Sequence, residues 1–200
     1  MRNSGDRLVL VSLFTVCCLI GGTFAYWIYG QFVENALTVG ENSIQIMEEY
    51  DPPDQLEAGV NVFDKKVQVK NTGTVSCYVR VFAEFSDSEM KDRSEFSADG
   101  VMYYPAGTYA QNLPEHWIYI EPSADPQLGG FYYYACELEP EQSTSALFSR
   151  VKSTFGSADQ IRDYEIMVYS ESVQVRDCTG AEFAGEDAWR QAWTEFLERR

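Results

Sequence analysis

"KKVQVKNTGTVSCYVRVFAEFS", residues Lys65 to Ser86, is the stretch on which the reading of the fold turns. Val67 and Val69 alternate with polar neighbours, Asn71 to Gly73 supplies turn residues, and Val75, Cys77, Val79, Val81, Ala83 and Phe85 then recur at period two. Successive residues of a strand face opposite sides of a sheet, so those six share one face. Ser76, Tyr78, Arg80, Phe82, Glu84 and Ser86 share the other. The stretch predicts an antiparallel pair packed on a core by one side.

Outward from this pair, "NALTVGENSIQIMEEYDPP" (35–53) reads as a strand, a turn at Gly40 to Asn42, a second strand with Ile44 and Ile46 on one face, and a stop at Pro52-Pro53. "DQLEAGVNVFD" (54–64) is turn-rich, and Asp87 to Gly100 is acidic and reads as a solvated loop. Strands are expected in "EHWIYIE" (115–121), "GGFYYYACEL" (129–138) and "DYEIMVYSESVQV" (163–175), with "STSALFSRVKS" (143–153) a strand or an extended edge. In "FYYYA", Tyr132 and Tyr134 fall on one face and Phe131 and Tyr133 on the other. Half of these rings are therefore expected in the core rather than on a sugar-stacking platform. About eight short strands separated by turns predict a mainly β, Ig-like, two-sheet antiparallel sandwich over residues 35–180.

The tail changes period. In "GEDAWRQAWTEFLERR" (185–200) Ala188, Trp189, Ala192, Trp193, Phe196 and Leu197 recur at helical spacing, with Asp187 read as the N-cap and Arg199 and Arg200 at the C-terminal end. This predicts a short amphipathic helix over 186–200. Trp189, Trp193 and Phe196 form its aromatic face, for docking on its own domain or on a partner.

At the other end, Arg2 and Arg7 precede an apolar run from Leu8 to Ile20, followed by Gly-Gly-Thr-Phe-Ala. A charged head, an apolar middle and small residues at −3 and −1 make a secretory signal helix over 1–25. Thr23 and Ala25 are the small pair, and cleavage leaves Tyr26 first. The rival reading is an uncleaved anchor: Leu8 to Tyr29 carries no charge and matches the ~20 residues of a spanning helix. Adjacent Gly21 and Gly22 weaken a helix there. After cleavage Cys77, Cys136 and Cys178 remain. An odd count with no CxxC excludes a disulfide framework and suggests no zinc site.

Acidic residues outnumber basic ones 31 to 15, for a net charge of −16. Nucleic-acid binding rests on Lys and Arg displacing counterions, so nucleic acid is not an expected partner. His116 is the only histidine and no HExxH occurs. One His cannot supply the two or three that a zinc peptidase uses, and it is expected to pack at a strand start. Carboxylate pairs for glycoside hydrolysis are open to any chain this acidic. No GxGxxG or GxxxxGK phosphate cradle is present. The expectation is a protein that is not an enzyme and needs no metal or cofactor.

"GGTFAYW" (21–27), "NALTVGENSIQI" (35–46), "KKVQVKNTGTVSCYVRV" (65–81), "GGFYYYACEL" and "DYEIMVYSESVQV" together resemble the exported proteins of Gram-positive bacteria processed by the SipW-type signal peptidase, the TasA and camelysin family. The resemblance implies a jelly-roll sandwich, export by that peptidase, and a structural role at the cell surface or in the biofilm matrix. It further implies fibre subunits, alone or co-assembled with related exported chains, in which a freed N-terminal segment adds a strand to the next subunit. Here that segment is 26–34, with Tyr26, Ile28 and Phe32 as the donor face, and assembly waits on cleavage. The C-terminal Trp-rich helix departs from that pattern. The alternative is a monomeric surface adhesin or ligand-binding module, tethered by the uncleaved helix; otherwise the membrane is touched only through the signal segment.

Overall fold

The computed structural model describes residues 40–199. The signal-segment residues Thr23, Ala25 and Tyr26, the donor-face residues Ile28 and Phe32, and the strand expected before Gly40 lie outside the described residues. From Gly40 onward the chain forms one compact unit. Nine strands make two antiparallel sheets. They are β1 (Ile44–Asp51), β2 (Gly59–Asn71), β3 (Cys77–Phe85), β4 (Ser94–Ser97), β5 (Tyr104–Pro105), β6 (Trp117–Tyr119), β7 (Tyr132–Tyr134), β8 (Phe148–Phe155) and β9 (Ile166–Gln174). Helix α1 (Ser88–Asp92) follows β3, and α2 (Ala188–Glu198) closes the chain. The first sheet runs β1-β2-β8-β4-β5 and the second β6-β7-β3-β9.

The core lies between the sheets. Cys77, Val79, Val81, Ala83 and Phe85 of β3 are buried against Val67 and Val69 of β2, Phe96 of β4, Tyr104 of β5 and Phe148, Val151 and Phe155 of β8. Phe96 and Phe148 stack with centroids 4.0 Å apart. The buried Tyr104 hydroxyl donates to the Leu147 carbonyl, which offsets the cost of placing a phenol in that layer. β2 turns into β3 through Asn71: its side-chain N–H donates to the Val75 and Leu138 carbonyls, and its Oδ1 accepts from the Gly73 N–H. Glycine at 73 is required by close approach, since a Cβ there would stand 2.2 Å from the Glu41 carbonyl oxygen. That carbonyl belongs to the Gly40–Ser43 segment that leads into β1 and accepts from the Thr72, Gly73 and Thr74 N–H groups.

Two sequence expectations are corrected and one left open is decided. The acidic stretch from Asp87 is not a solvated loop but holds α1 and β4. Asp87 Oδ1 caps α1 by accepting from the Glu89 and Met90 N–H groups at 2.8 and 3.1 Å, and Met90, Ser94, Phe96 and Ser97 are buried. The turn-rich 54–64 stretch contains the first six residues of β2, from Gly59, and a bulge between Asp64 and Val67 follows them. Of the two alternatives for "STSALFSRVKS" the strand holds: β8 lies between β2 and β4. The alternation in β7 is as expected, with Tyr132 in the core and Tyr133 on the outer face of its sheet.

Candidate functional site

Residues that carry chemistry are dispersed. His116 is exposed, has φ 69°, and sits immediately before β6, 3.4 Å from the Glu115 carboxylate and edge-on to Tyr134. Its carbonyl accepts from the Ala135 N–H, so it marks a strand start. Among the described residues no three His, Cys, Asp or Glu side chains converge as a metal site. Cys77, Cys136 and Cys178 are free thiols. Burial, with Glu137 adding to it, pushes the Cys77 thiol up to about 12, and burial also raises that of Cys136. Neither is a ready nucleophile at neutral pH. No helix among the described residues is long and apolar enough to cross a membrane.

What the fold leaves unfinished is one side of the core. Among the described residues β1 ends one sheet and β9 ends the other, each with a single paired neighbour. At one end the two edges are fastened together: Asn42 Nδ2 donates to the Ser172 carbonyl at 3.3 Å, and the Ser172 hydroxyl donates to Asn42 Oδ1 at 3.0 Å. Toward the other end they flank a cleft of about 750 Å³. Its walls include Tyr50, Leu56 and Phe63 on one side and Ile161, Tyr164 and Ile166 on the other. The cross-strand register assigns the faces: Tyr50 opposes Lys65 and Ile46 opposes Val69, while Ile166 opposes Phe85 and Val168 opposes Ala83. These side chains therefore point to the core side, yet Ile46, Ile166 and Val168 are only half buried and Tyr50 is 54% exposed. An inward position that stays wet marks a missing neighbour.

One buried charge stands in this wall. Lys65, at the β2 bulge, is 6% exposed; its ammonium pairs with Glu48 and lies 4.8 Å from the Tyr50 ring centroid. Burial lowers its pKa.

The outer face of the β6-β7-β3-β9 sheet is covered by α2. Trp189 and Trp193 are 3% and 0% exposed. They pack on Tyr133, with ring centroids 5.1 and 5.9 Å away, and Phe196 meets Trp193 edge-on. The indoles read as a docking face are thus taken up by the chain's own sheet, and of the three only Phe196 remains half exposed. Asp187 holds the N-cap position without a side-chain cap bond. Beneath Trp193 lies Arg80, 3% exposed, its guanidinium 4.0 Å from the Phe131 centroid and 4.3 Å from the Trp193 centroid. Arg80 Nε and Nη2 both donate to Glu171 Oε2, the first at 2.7 Å, and Nη1 donates to the Tyr133 hydroxyl at 3.2 Å. The sequence reading placed Arg80 on the outer face but missed its burial. Its one visible signal was an arginine flanked at period two by Tyr78 and Phe82.

No known family model and no curated protein matches this chain.

Proposed function

We propose that this chain is an exported structural subunit of the cell surface or extracellular matrix, a jelly-roll-type sandwich that assembles into fibres by strand donation. The observation that carries the reading is the cleft between the β1 and β9 edges: Tyr50 and Ile166 line it, and with Ile46 and Val168, inward-facing on the same two strands, they stay half wet in the single chain. Edge strands present unpaired N–H and C=O groups, and an extended peptide satisfies them while its alternate side chains fill the gap. The occupant is the Tyr26–Glu34 segment of a neighbouring copy. Nine residues extended reach about 30 Å, the length of β1 or β9, and Tyr26, Ile28 and Phe32 fall on one side. Each such side chain, once buried, contributes about 1.5–3 kcal/mol before ordering costs.

In this reading a SipW-type peptidase cuts after Ala25 and frees the donor. Cleavage is then the switch for assembly, because a donor still joined to a membrane-held signal cannot reach a neighbour.

The test compares the mature chain beginning at Tyr26 with one beginning at Asn35, by light scattering and negative-stain imaging. Filaments from the first and a folded monomer from the second support strand donation. Filaments from both refute it.

A further inference from the structure

The strand-donation reading leaves the Trp-rich helix without a role, and the geometry of the outer sheet face supplies one. Cross-strand register sets Glu171 of β9, Arg80 of β3 and Tyr133 of β7 in one row. Arg80, at the centre, bonds Glu171 through two nitrogens and Tyr133 through a third. Tyr133 in turn donates to the Leu128 carbonyl at 2.7 Å, and the Tyr169 hydroxyl donates to Glu171 Oε1 at 3.2 Å. Above the row, Trp193 closes the guanidinium against Phe131.

β9 needs such a tie. Among the described residues it pairs with β3 alone, and its core-side Ile166, Val168 and Ser170 are half exposed, so its packing on that side is incomplete. β9 is held from the opposite face by the Glu171 carboxylate, four residues beyond Met167, where the cleft lining on this strand ends. A strand that must accept another binds more tightly when it is already ordered, since the incoming peptide then meets a smaller ordering cost. A guanidinium excluded from water and held between two rings keeps its donors aimed at one carboxylate far better than an exposed one.

We propose that α2 is a brace for the accepting edge: Trp193 and Arg80 are positioning residues that hold β9 in the conformation that takes the incoming strand. The inference rests on the strand-donation reading for its function, but its structural half is measurable alone. Arg80 and Trp193 lie on the outer face of the sheet, opposite its core side, so the helix acts through Glu171.

The experiment uses the mature chain with three substitutions. Trp193→Leu keeps apolar cover but removes the ring over Arg80, Trp193→Phe restores a ring, and Leu197→Ala weakens helix docking away from the guanidinium. Hydrogen exchange by mass spectrometry on the monomer, and filament elongation from seeds, are read for each. In Trp193→Leu, exchange across Met167–Glu171 should rise about tenfold or more with β2 and β8 unchanged, and elongation should slow about three- to tenfold. Trp193→Phe should recover most of both, and Leu197→Ala should move neither. Should Trp193→Leu fail to fold, Arg80→Lys, which keeps the charge and loses the planar fork, is read the same way.

Unchanged β9 exchange in Trp193→Leu overturns the brace even if filaments grow normally. A rise spread evenly over both sheets overturns it too, because α2 would then be general support. Absence of filaments from the unsubstituted mature chain refutes strand donation instead, and leaves the exchange pattern to judge the brace.

Discussion

Arg80→Met is the most informative single perturbation of the folded domain. The Arg80 and Glu171 side chains are 4% and 13% exposed, so this is a buried ion pair rather than a surface one. Taking two charges out of water is costly, and their attraction offsets that cost only while both are present and hydrogen-bonded. Methionine matches much of the arginine stem but leaves the Glu171 carboxylate without Nε and Nη2, and the Tyr133 hydroxyl without Nη1. Breaking one side of such a pair costs about 3–5 kcal/mol. That is about a fifth or more of the roughly 5–15 kcal/mol that stabilises an ordinary domain. For a domain of this size it lowers Tm by roughly 6–20 °C. Glu171→Met should cost a similar amount, whereas the double substitution should recover most of the loss, since it removes both charges of the pair together. The assay is urea denaturation of the four proteins followed by circular dichroism, with m-values compared to exclude a changed end state. A loss below about 1 kcal/mol for Arg80→Met, or a double substitution as costly as the sum of the singles, refutes the reasoning.

Other consequences follow from local geometry. Asp87 is held below the usual carboxylate range, first by the Met90 N–H and further by the Glu89 N–H and Arg162. Asp99 is lowered by the Val101 and Met102 N–H groups, and Asp177 by its bond to Thr179. A depressed folded-state pKa stabilises above the unfolded value, about 3.9 for Asp, and that contribution is lost as pH falls through the folded value. Asp87→Ala combined with Asp99→Ala should therefore flatten the decline in stability below about pH 4 relative to the unsubstituted chain. Comparing the two proteins at each pH removes the common relief of charge repulsion. In the mature protein the exposed Cys178 should react with a thiol reagent at neutral pH within minutes, whereas Cys77, its thiol raised to about 12, should react only on unfolding; equal rates in the native protein contradict the burial of Cys77. Gly73→Ala should cost about 1–3 kcal/mol in chemical denaturation, because the new Cβ meets the Glu41 carbonyl oxygen and the Ser43 nitrogen of the segment leading into β1. A neutral effect means that segment yields.

The Lys65–Ser86 stretch shows how far a sequence can be read here. Its inward set from Cys77 to Phe85 is buried as the alternation required, and the aromatic period of the tail located α2 to within two residues. Both signals are local, because the residues that share a face are close in the chain. β3, however, is buried on both faces: Tyr78 and Arg80 are 6% and 3% exposed because α2, more than a hundred residues away in the chain, lies over them. No period within β3 encodes that cover. α1 and β4 were hidden by Asp87, Glu89, Asp92 and Glu95, whose charges face outward while Met90 and Phe96 turn in. Segments this short offer too few repeats for a pattern to emerge from acidic neighbours. The cleft was illegible for a different reason. It is defined by which strands end the two sheets, and strand order across a sandwich depends on pairings between distant segments, such as β2 with β8.

The central claim, that a neighbour's Tyr26–Glu34 fills the cleft between β1 and β9, is tested most directly by complementation between two disabled chains. One begins at Asn35 and keeps an intact cleft; the other begins at Tyr26 and carries Ile166→Lys in the cleft wall. Each alone should stay monomeric. Mixed at equal concentration, they should form a one-to-one dimer and stop there, since the complex has no free donor that meets an intact cleft. Size-exclusion chromatography with light scattering reads the mass. A dimer that forms only in the mixture is the predicted result, whereas two unchanged monomers, or filaments from either chain alone, would contradict the account.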